Sequence, residues 1–452
     1  MLLRQIFDPH LAQYAYLIGC QRTGEALIID PERDIERYHK IANENGLQIT
    51  AVTETHIHAD FVSGCQEFAA DPDLQVYLSA EGGPDWLYNW PRNRPNTHFV
   101  KHGSTFNVGK IKIEVIATPG HTPEHICFLI TDCGAGADQP MALITGDFLF
   151  VGGVGRPDLL ETAAGIANVM EASAYSLGQS LRTRLSPFSD FLQILPGHGA
   201  GSACGKSLGA VPISTLGYER AFNSSFKLAL ADPAVFVKDV LTGQPNPPLY
   251  FARMKQVNRD GIAVTGGAPL APHISTKQFR EFASDSTLSI LDTREDRIAF
   301  DAAHVPHAIH APLNTPFFFS SAGSYVTPNS KIILILENPE DADLAVKQLY
   351  RIGLDSILGW ITVEEAAELA TESIERIHFE NFDTSVVANA EILDVRNTSE
   401  YDADHLPGAR STPYTRLAEH LDELPQNRRL YVHCAAGRRA AAACSFLKAK
   451  GY

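Results

Sequence analysis

No stretch of the 452-residue chain approaches the ~20 consecutive apolar residues that a membrane span requires. The opening residues, Met1 to Gln5, lack the apolar core of a secretory leader, so nothing here points to export. Positive charge is in deficit: 37 Lys and Arg stand against 53 Asp and Glu, a net −16. Binding to nucleic acid phosphates and docking on anionic membranes both run on Lys and Arg, so neither is expected. The seven cysteines are odd in number and scattered, with no Cys-x-x-Cys pair. That excludes a disulfide framework and a thiolate zinc site, and makes a cytoplasmic, reducing setting the expectation. Hydrophobic residues make up 44% and charged residues 20%, enough for a sizeable core. At roughly 150 residues per domain the length suggests about three domains.

Short apolar runs at Ala26–Asp30, Leu47–Thr53 and Ala142–Thr145, and the alternating run Ile111–Ala117, read as strands among helical stretches. They imply a layered α/β domain over residues 1–245. Proline and glycine crowd Gly243–Tyr250 and Gly266–Pro272, which places an inter-domain connection between about 243 and 273. Beyond it the chain repeats itself. Ile290-Leu291-Asp292-Thr293-Arg294 recurs as Ile392-Leu393-Asp394-Val395-Arg396, and His304-Val305-Pro306 as His405-Leu406-Pro407. Ile333–Glu337 matches Leu430–Cys434, and Ile352-Gly353 matches Lys450-Gly451. A period near 100 residues is too long for a solenoid and reads as a duplicated domain.

Thr55-His56-Ile57-His58-Ala59-Asp60 follows a strand, and in extended backbone His56 and His58 share a face. Thr118-Pro119-Gly120-His121-Thr122, Thr145-Gly146-Asp147 and Leu195-Pro196-Gly197-His198-Gly199 each set a His or Asp in a turn after an apolar run. Four such loops at strand ends suit a metal site held by a rigid sheet. Together these motifs resemble the metallo-β-lactamase superfamily over about residues 10–230. The resemblance implies an αββα sandwich with the metal between its sheets.

The superfamily's His-x-His-x-Asp-His motif ends here in Phe61. In the binuclear hydrolases the missing histidine would join Asp60, Asp147 and His198 at a second metal. Its loss favours a single metal and a resemblance to the persulfide dioxygenases. By position, that resemblance assigns His56, His121 and Asp147 as ligands of one Fe(II), a two-histidine, one-carboxylate triad with open positions. Imidazole and carboxylate also suit zinc and manganese. His58 would then lie beside the metal without binding it. Arg156 would stand close to the site and pair with Asp158. Cys204, in the small-residue loop after His198, would handle a persulfide.

The second copy resembles the rhodanese family through Asp394-Val395-Arg396, Glu400-Tyr401, His405–Ala409 and His433-Cys434-Ala435-Ala436-Gly437-Arg438-Arg439. Cys434 ends an apolar run and precedes an Ala-rich helical stretch. Loop N–H groups and a helix N-terminus form an anion cradle that favours a thiolate, with Gly437, Arg438 and Arg439 expected to bind the substrate anion. The first copy has Glu337 at the position of Cys434 and is expected to have a shorter loop. It reads as a degenerate rhodanese over 273–372, serving as a spacer or docking surface. The second copy, 379–452, stops before the last strand and helix of that fold.

The whole pattern resembles a persulfide dioxygenase–rhodanese fusion. That implies oxidation of glutathione persulfide or a similar thiol persulfide by dioxygen to sulfite, with Cys434 exchanging sulfane sulfur with sulfite or thiosulfate. A homo-oligomer is compatible with the composition. The rivals are a zinc-dependent glutathione thioester hydrolase and a sulfur-carrier or persulfide-sensing protein without oxygenase activity.

Overall fold

The computed structural model describes residues 1–452 except 164, 207, 286, 379 and 381–389. It divides into two compact units, Met1–Gln244 with Phe251–Gly267, and Pro245–Tyr250 with Ala268–Tyr452. No helix among the described residues is long and apolar enough to cross a membrane.

The first unit holds two six-stranded sheets. One runs in chain order through Leu2–Asp8, Gln13–Cys20, Glu25–Ile29, Gln48–Thr53, Gln75–Ser79 and Thr97–Val100. Its first three strands are antiparallel and its last three continue in parallel. The other orders Ser214–Thr215, Gln193–Pro196, Ala142–Gly146, Ile126–Thr131, Ile111–Ala117 and Thr105–Val108. Alternation decides the layers. Tyr16, Ile18, Leu27 and Ile29 of the first sheet meet Ile113, Val115, Phe128 and Ile144 of the second in one core between the sheets. The intervening residues Ala15, Leu17, Ala26 and Ile28 face outward onto Tyr38 and Ala42 of the helix Glu36–Glu44. The second sheet's outer face packs on Met170–Arg184 and Pro233–Leu241. The result is the expected α-β-β-α layering. Both sheets are covered on both faces, which is why several strands read as uninterrupted apolar runs rather than alternating ones.

The connection proposed between 243 and 273 needs amending. Its proline-rich start is irregular, but a helix follows at Tyr250–Asp260, and the chain from Phe251 to Gly267 belongs to the first unit. Asn258 explains this: its buried amide donates to the carbonyls of His58 and Phe61 and accepts from the Ser63 N–H. Prolines and glycines flank that helix without interrupting it.

The second unit contains two parallel sheets. The first orders Ala308–His310, Ser289–Asp292, Ile332–Leu336 and Ile357–Thr362; the second orders Arg410–Ser411, Ala390–Asp394 and Arg429–His433. The repeat is conserved down to side-chain contacts. Arg294 clasps Asp292 as Arg396 clasps Asp394. His304 stacks on Phe300 and donates to its carbonyl, as His405 does with Tyr401. The helix Arg438–Ala449 seats against the edge strand Ala308–His310, where Ser445 Oγ accepts from the His310 N–H. The expected shorter loop in the first copy is not found; that loop is one residue longer. Residues 337–341 separate strand and helix there, against 434–437 in the second copy, and the helix itself is shorter, 10 residues against 12.

Candidate metal centre and sulfur-transfer site

Four strands of the first unit end in the four loops identified from sequence, and their side chains converge. One donor atom each from His56, His121 and Asp147 lie within 4.8 Å of one another, and all three residues are buried. The surroundings set the histidine tautomers. His121 Nδ1 donates to the Arg156 carbonyl at 2.8 Å, so its Nε2 lone pair faces inward, 3.6 Å from Asp147 Oδ2. The Thr55 hydroxyl donates to Asp30 Oδ2 and so accepts from His56 Nδ1, which frees His56 Nε2. Burial, with neighbouring histidines and Lys255, keeps His56 and His121 well below the usual imidazole range and therefore neutral. Both oxygens of Asp147 are buried without a hydrogen-bond partner, and burial raises its carboxyl to about 6. Two inward lone pairs facing an orphaned carboxylate are the chemistry of a cation site, and the residues fit a divalent metal. Gly197 is needed here, because a Cβ on it would fall 2.6 Å from Asp147 Oδ1.

His58 lies beside this triad but is not part of it. Its ring stands 4.2 Å from that of His56, and its Nε2 donates to Asp30 Oδ1 at 3.1 Å. Burial lowers its pKa, but the Asp30 carboxylate more than offsets this and raises it to about 9. Phe61 is fully buried with its ring 4.4 Å from the His58 ring.

Phe61 does not leave the second position bare. Donor atoms of Asp60, His198 and Cys204 form another set within 4.8 Å of one another, all buried. His198 Nδ1 donates to the Ala12 carbonyl, and its Nε2 stands 3.4 Å from Asp60 Oδ2 and 3.5 Å from Asp147 Oδ1. Burial, with Asp60 and Asp147 nearby, holds the Cys204 thiol well above its ordinary range. Arg156 is fully buried and offers no free guanidinium. It grips Asp158 through Nε and Nη2, at 2.9 and 2.6 Å, and donates from Nη1 to the Ala203 carbonyl. Its role is to hold the Cys204 loop beside His121.

Several contributors were not read from the sequence. Asp30 organises both His56 and His58. His125 accepts from the Asp147 N–H and bonds to Thr118 Oγ1, which fixes the backbone at Asp147. Lys255 is buried with no hydrogen-bond partner for its ammonium among the described residues, and that ammonium lies 5.9 Å from the Trp86 ring. Burial lowers its pKa to about 8, and Glu124, Cys204 and Asp158 are among the groups acting on it. A strand ending in Asp, or a lysine in a segment that looks like a connection, carries no local signal of these roles.

In the second unit Cys434 is half-buried at the end of Arg429–His433, and its Sγ accepts the Gly437 N–H at 3.1 Å. Gly437 is left-handed at φ 85° and leads into the helix Arg438–Ala449. The loop therefore has the expected cradle form. Arg439 is held in a bidentate pair by Glu400, and Arg438 is exposed. The Glu337 position opens the equivalent turn of the first copy.

The comparisons agree with this geometry. The profile of the metallo-beta-lactamase superfamily matches residues 9–198, and that of the rhodanese-like domain matches 379–452. A solved structure of a metallo-beta-lactamase from Staphylococcus aureus subsp. aureus COL is 40% identical, covering 80% of this chain and 99% of its own, with TM-score 0.69. The chain belongs to the metallo-β-lactamase superfamily, with a rhodanese-like domain at residues 379–452. Within that class it is similar to the mitochondrial persulfide dioxygenase ETHE1 of Bos taurus, 32% identical over 168 residues, which are 36% of this chain. The match spans 59% of the length of that relative. The probable metallo-hydrolase YqgX of Bacillus subtilis is 27% identical over 43% of this chain and 89% of its own. These families point to an enzyme.

Proposed function

We propose that the first unit is a mononuclear iron persulfide dioxygenase and that Cys434 carries sulfane sulfur in the second. The observation behind this reading is the buried triad His56, His121 and Asp147 beside Phe61, which fills the place of a further histidine. His56, His121 and Asp147 would hold Fe(II), and that ion when bound supplies the activation of dioxygen. The overall change is RSSH + O2 + H2O giving RSH and sulfurous acid, which ionises to sulfite. Asp30 and Arg156 fix the ligand imidazoles, and His125 fixes the backbone at Asp147. The buried Lys255 ammonium favours an anionic persulfide or sulfite. In the second unit the Cys434 thiolate would attack the outer sulfur of thiosulfate, forming a cysteine persulfide as the S–S bond breaks and sulfite leaves with the electron pair. Covalent linkage of the units raises the effective concentration of one site's product at the other. A low-molecular-weight thiol persulfide such as glutathione persulfide and a cytoplasmic setting belong to the same reading.

The test is oxygen uptake with such a persulfide by iron-loaded chain. His121→Ala should lose iron and uptake together. Uptake that persists without iron would refute the mechanism. One observation favours a second reading, a binuclear hydrolase: Asp60, His198 and Cys204 gather as a second donor set. Under the dioxygenase reading, metal analysis should return one ion per chain, and Cys204→Ser should leave that number unchanged. Two ions in the parent, falling to one in Cys204→Ser, together with thioester hydrolysis, would favour the hydrolase.

A further inference from the structure

The cradle around Cys434 needs a cation to hold an oxyanion; of the arginines of its own copy, Arg438 is exposed and does not line the cavity, Arg428 is exposed at the far end of the strand from Cys434, and the other two near the loop are paired. Arg439 is paired with Glu400, and Arg396 with Asp394. Across the cavity, Arg429 pairs with Glu375, and Arg376 lies 3.5 Å from Asp301. Arg297 differs. It is the first residue of the helix Arg297–Ala302 in the other copy of the repeat, and among the described residues no hydrogen bond or ion pair engages its guanidinium. It lines the same cavity of about 1180 Å³ as Cys434, Ala435 and Gly437. Its guanidinium lies against the loop itself, since a Cβ on Gly437 would fall 2.5 Å from Arg297 Nη1 and 2.7 Å from its Cζ. The N–H of that glycine touches Cys434 Sγ.

We propose that Arg297, supplied by the degenerate copy, is the anion-binding cation of the Cys434 site, and that it takes the sulfonate end of thiosulfate or of departing sulfite. A planar guanidinium presents parallel donors to an oxyanion. The second copy supplies the nucleophile and N–H groups, and the first supplies the charge. The cysteine-free copy is then part of the site rather than a spacer. It also gives glycine at 437 a second reason beyond its left-handed φ, because any side chain there would displace the guanidinium. The anion site rests on the geometry of the loop, and its assignment to thiosulfate rests on the sulfur-transfer reading above.

The experiment separates the two. In the full chain, Cys434 is alkylated with iodoacetate or iodoacetamide and its peptide quantified by mass spectrometry. Both reagents react by thiolate displacement of iodide, and only one is an anion. Arg297→Gln should lower the iodoacetate-to-iodoacetamide rate ratio about five-fold at low salt, with the gap closing near ~0.5 M salt. Arg297→Lys should keep a ratio nearer the parent. Arg416→Gln, which removes a charge paired with Glu419 elsewhere in the unit, should leave it unchanged. A ratio unaltered in Arg297→Gln, or lowered equally in Arg297→Lys and Arg297→Gln, would overturn the proposal. The thiosulfate Michaelis constant should rise about five- to ten-fold in Arg297→Gln. If the alkylation ratio falls as expected while the parent chain transfers no sulfur from thiosulfate, the anion site stands and the sulfur-transfer reading fails.

Discussion

The two copies of the repeat share the order of three strands, their Asp–Arg clasps and their stacked histidines, yet the first has a fourth strand and the second has the cysteine. In the first copy all of Ile332–Leu336 is buried, with Ile357–Thr362 paired beside it. In the second, Arg429–His433 runs from exposed to half-buried, and among the described residues its one strand partner is Ala390–Asp394. That exposure follows from the absent neighbour; what sets the copies apart is the loop after the strand. Glu337 opens a five-residue turn, whereas Cys434 opens a four-residue cradle closed by left-handed Gly437.

The sharpest way to break that comparison is to exchange the residues at the strand ends. Cys434→Ser should remove all thiosulfate-to-thiol sulfur transfer, while Glu337→Cys should restore none of it. The turn after Glu337 has another length and no left-handed glycine before its helix. Mass spectrometry after thiosulfate treatment should place the added ~32 Da on the Cys434 peptide, the sulfur a thiolate in such a cradle accepts. Finding it mainly on Cys204 would move the sulfur carrier into the first unit. Next in size is core truncation. Leu334→Ala should cost about 2–5 kcal/mol of unfolding free energy by denaturant titration, the range for a fully buried leucine. Val432→Ala at the matching half-buried strand should cost about 1 kcal/mol. The clasp falls within the range of the leucine truncation. Arg294→Ala leaves buried Asp292 uncompensated and should destabilise by about 3 kcal/mol, more than Arg396→Ala, where water reaches the partner of Asp394. Equal losses in Arg294→Ala and Arg396→Ala would show that water reaches both clasps alike.

Much of this was legible from residue order. The runs at 26–30, 47–53, 111–117 and 142–145 fall on strands, because apolar residues at a sheet's period reflect burial on a pleated surface. His56, His121, Asp147 and His198 come together because each sits in the loop that follows a strand. What stayed hidden depends on distant parts of the chain. Asn258 and Lys255 lie on a helix bracketed by proline and glycine, in a stretch whose composition resembles a connection. Arg297 has nothing local to mark it, since its meaning comes from a loop some 140 residues away. Arg156 pairs with Asp158 as its neighbouring carboxylate suggested, whereas the pairing of Arg439 with Glu400, 39 residues away, had no local sign. Sequence proximity to a site does not reveal which partner a guanidinium will choose.

The most direct test of the central claim is oxygen consumption by the iron-loaded chain supplied with a low-molecular-weight thiol persulfide. The account predicts uptake of one dioxygen per persulfide with release of sulfite, abolished in His121→Ala while sulfur transfer at Cys434 survives. Absence of uptake by iron-loaded chain, with rapid thioester hydrolysis by the zinc-loaded form, would contradict it.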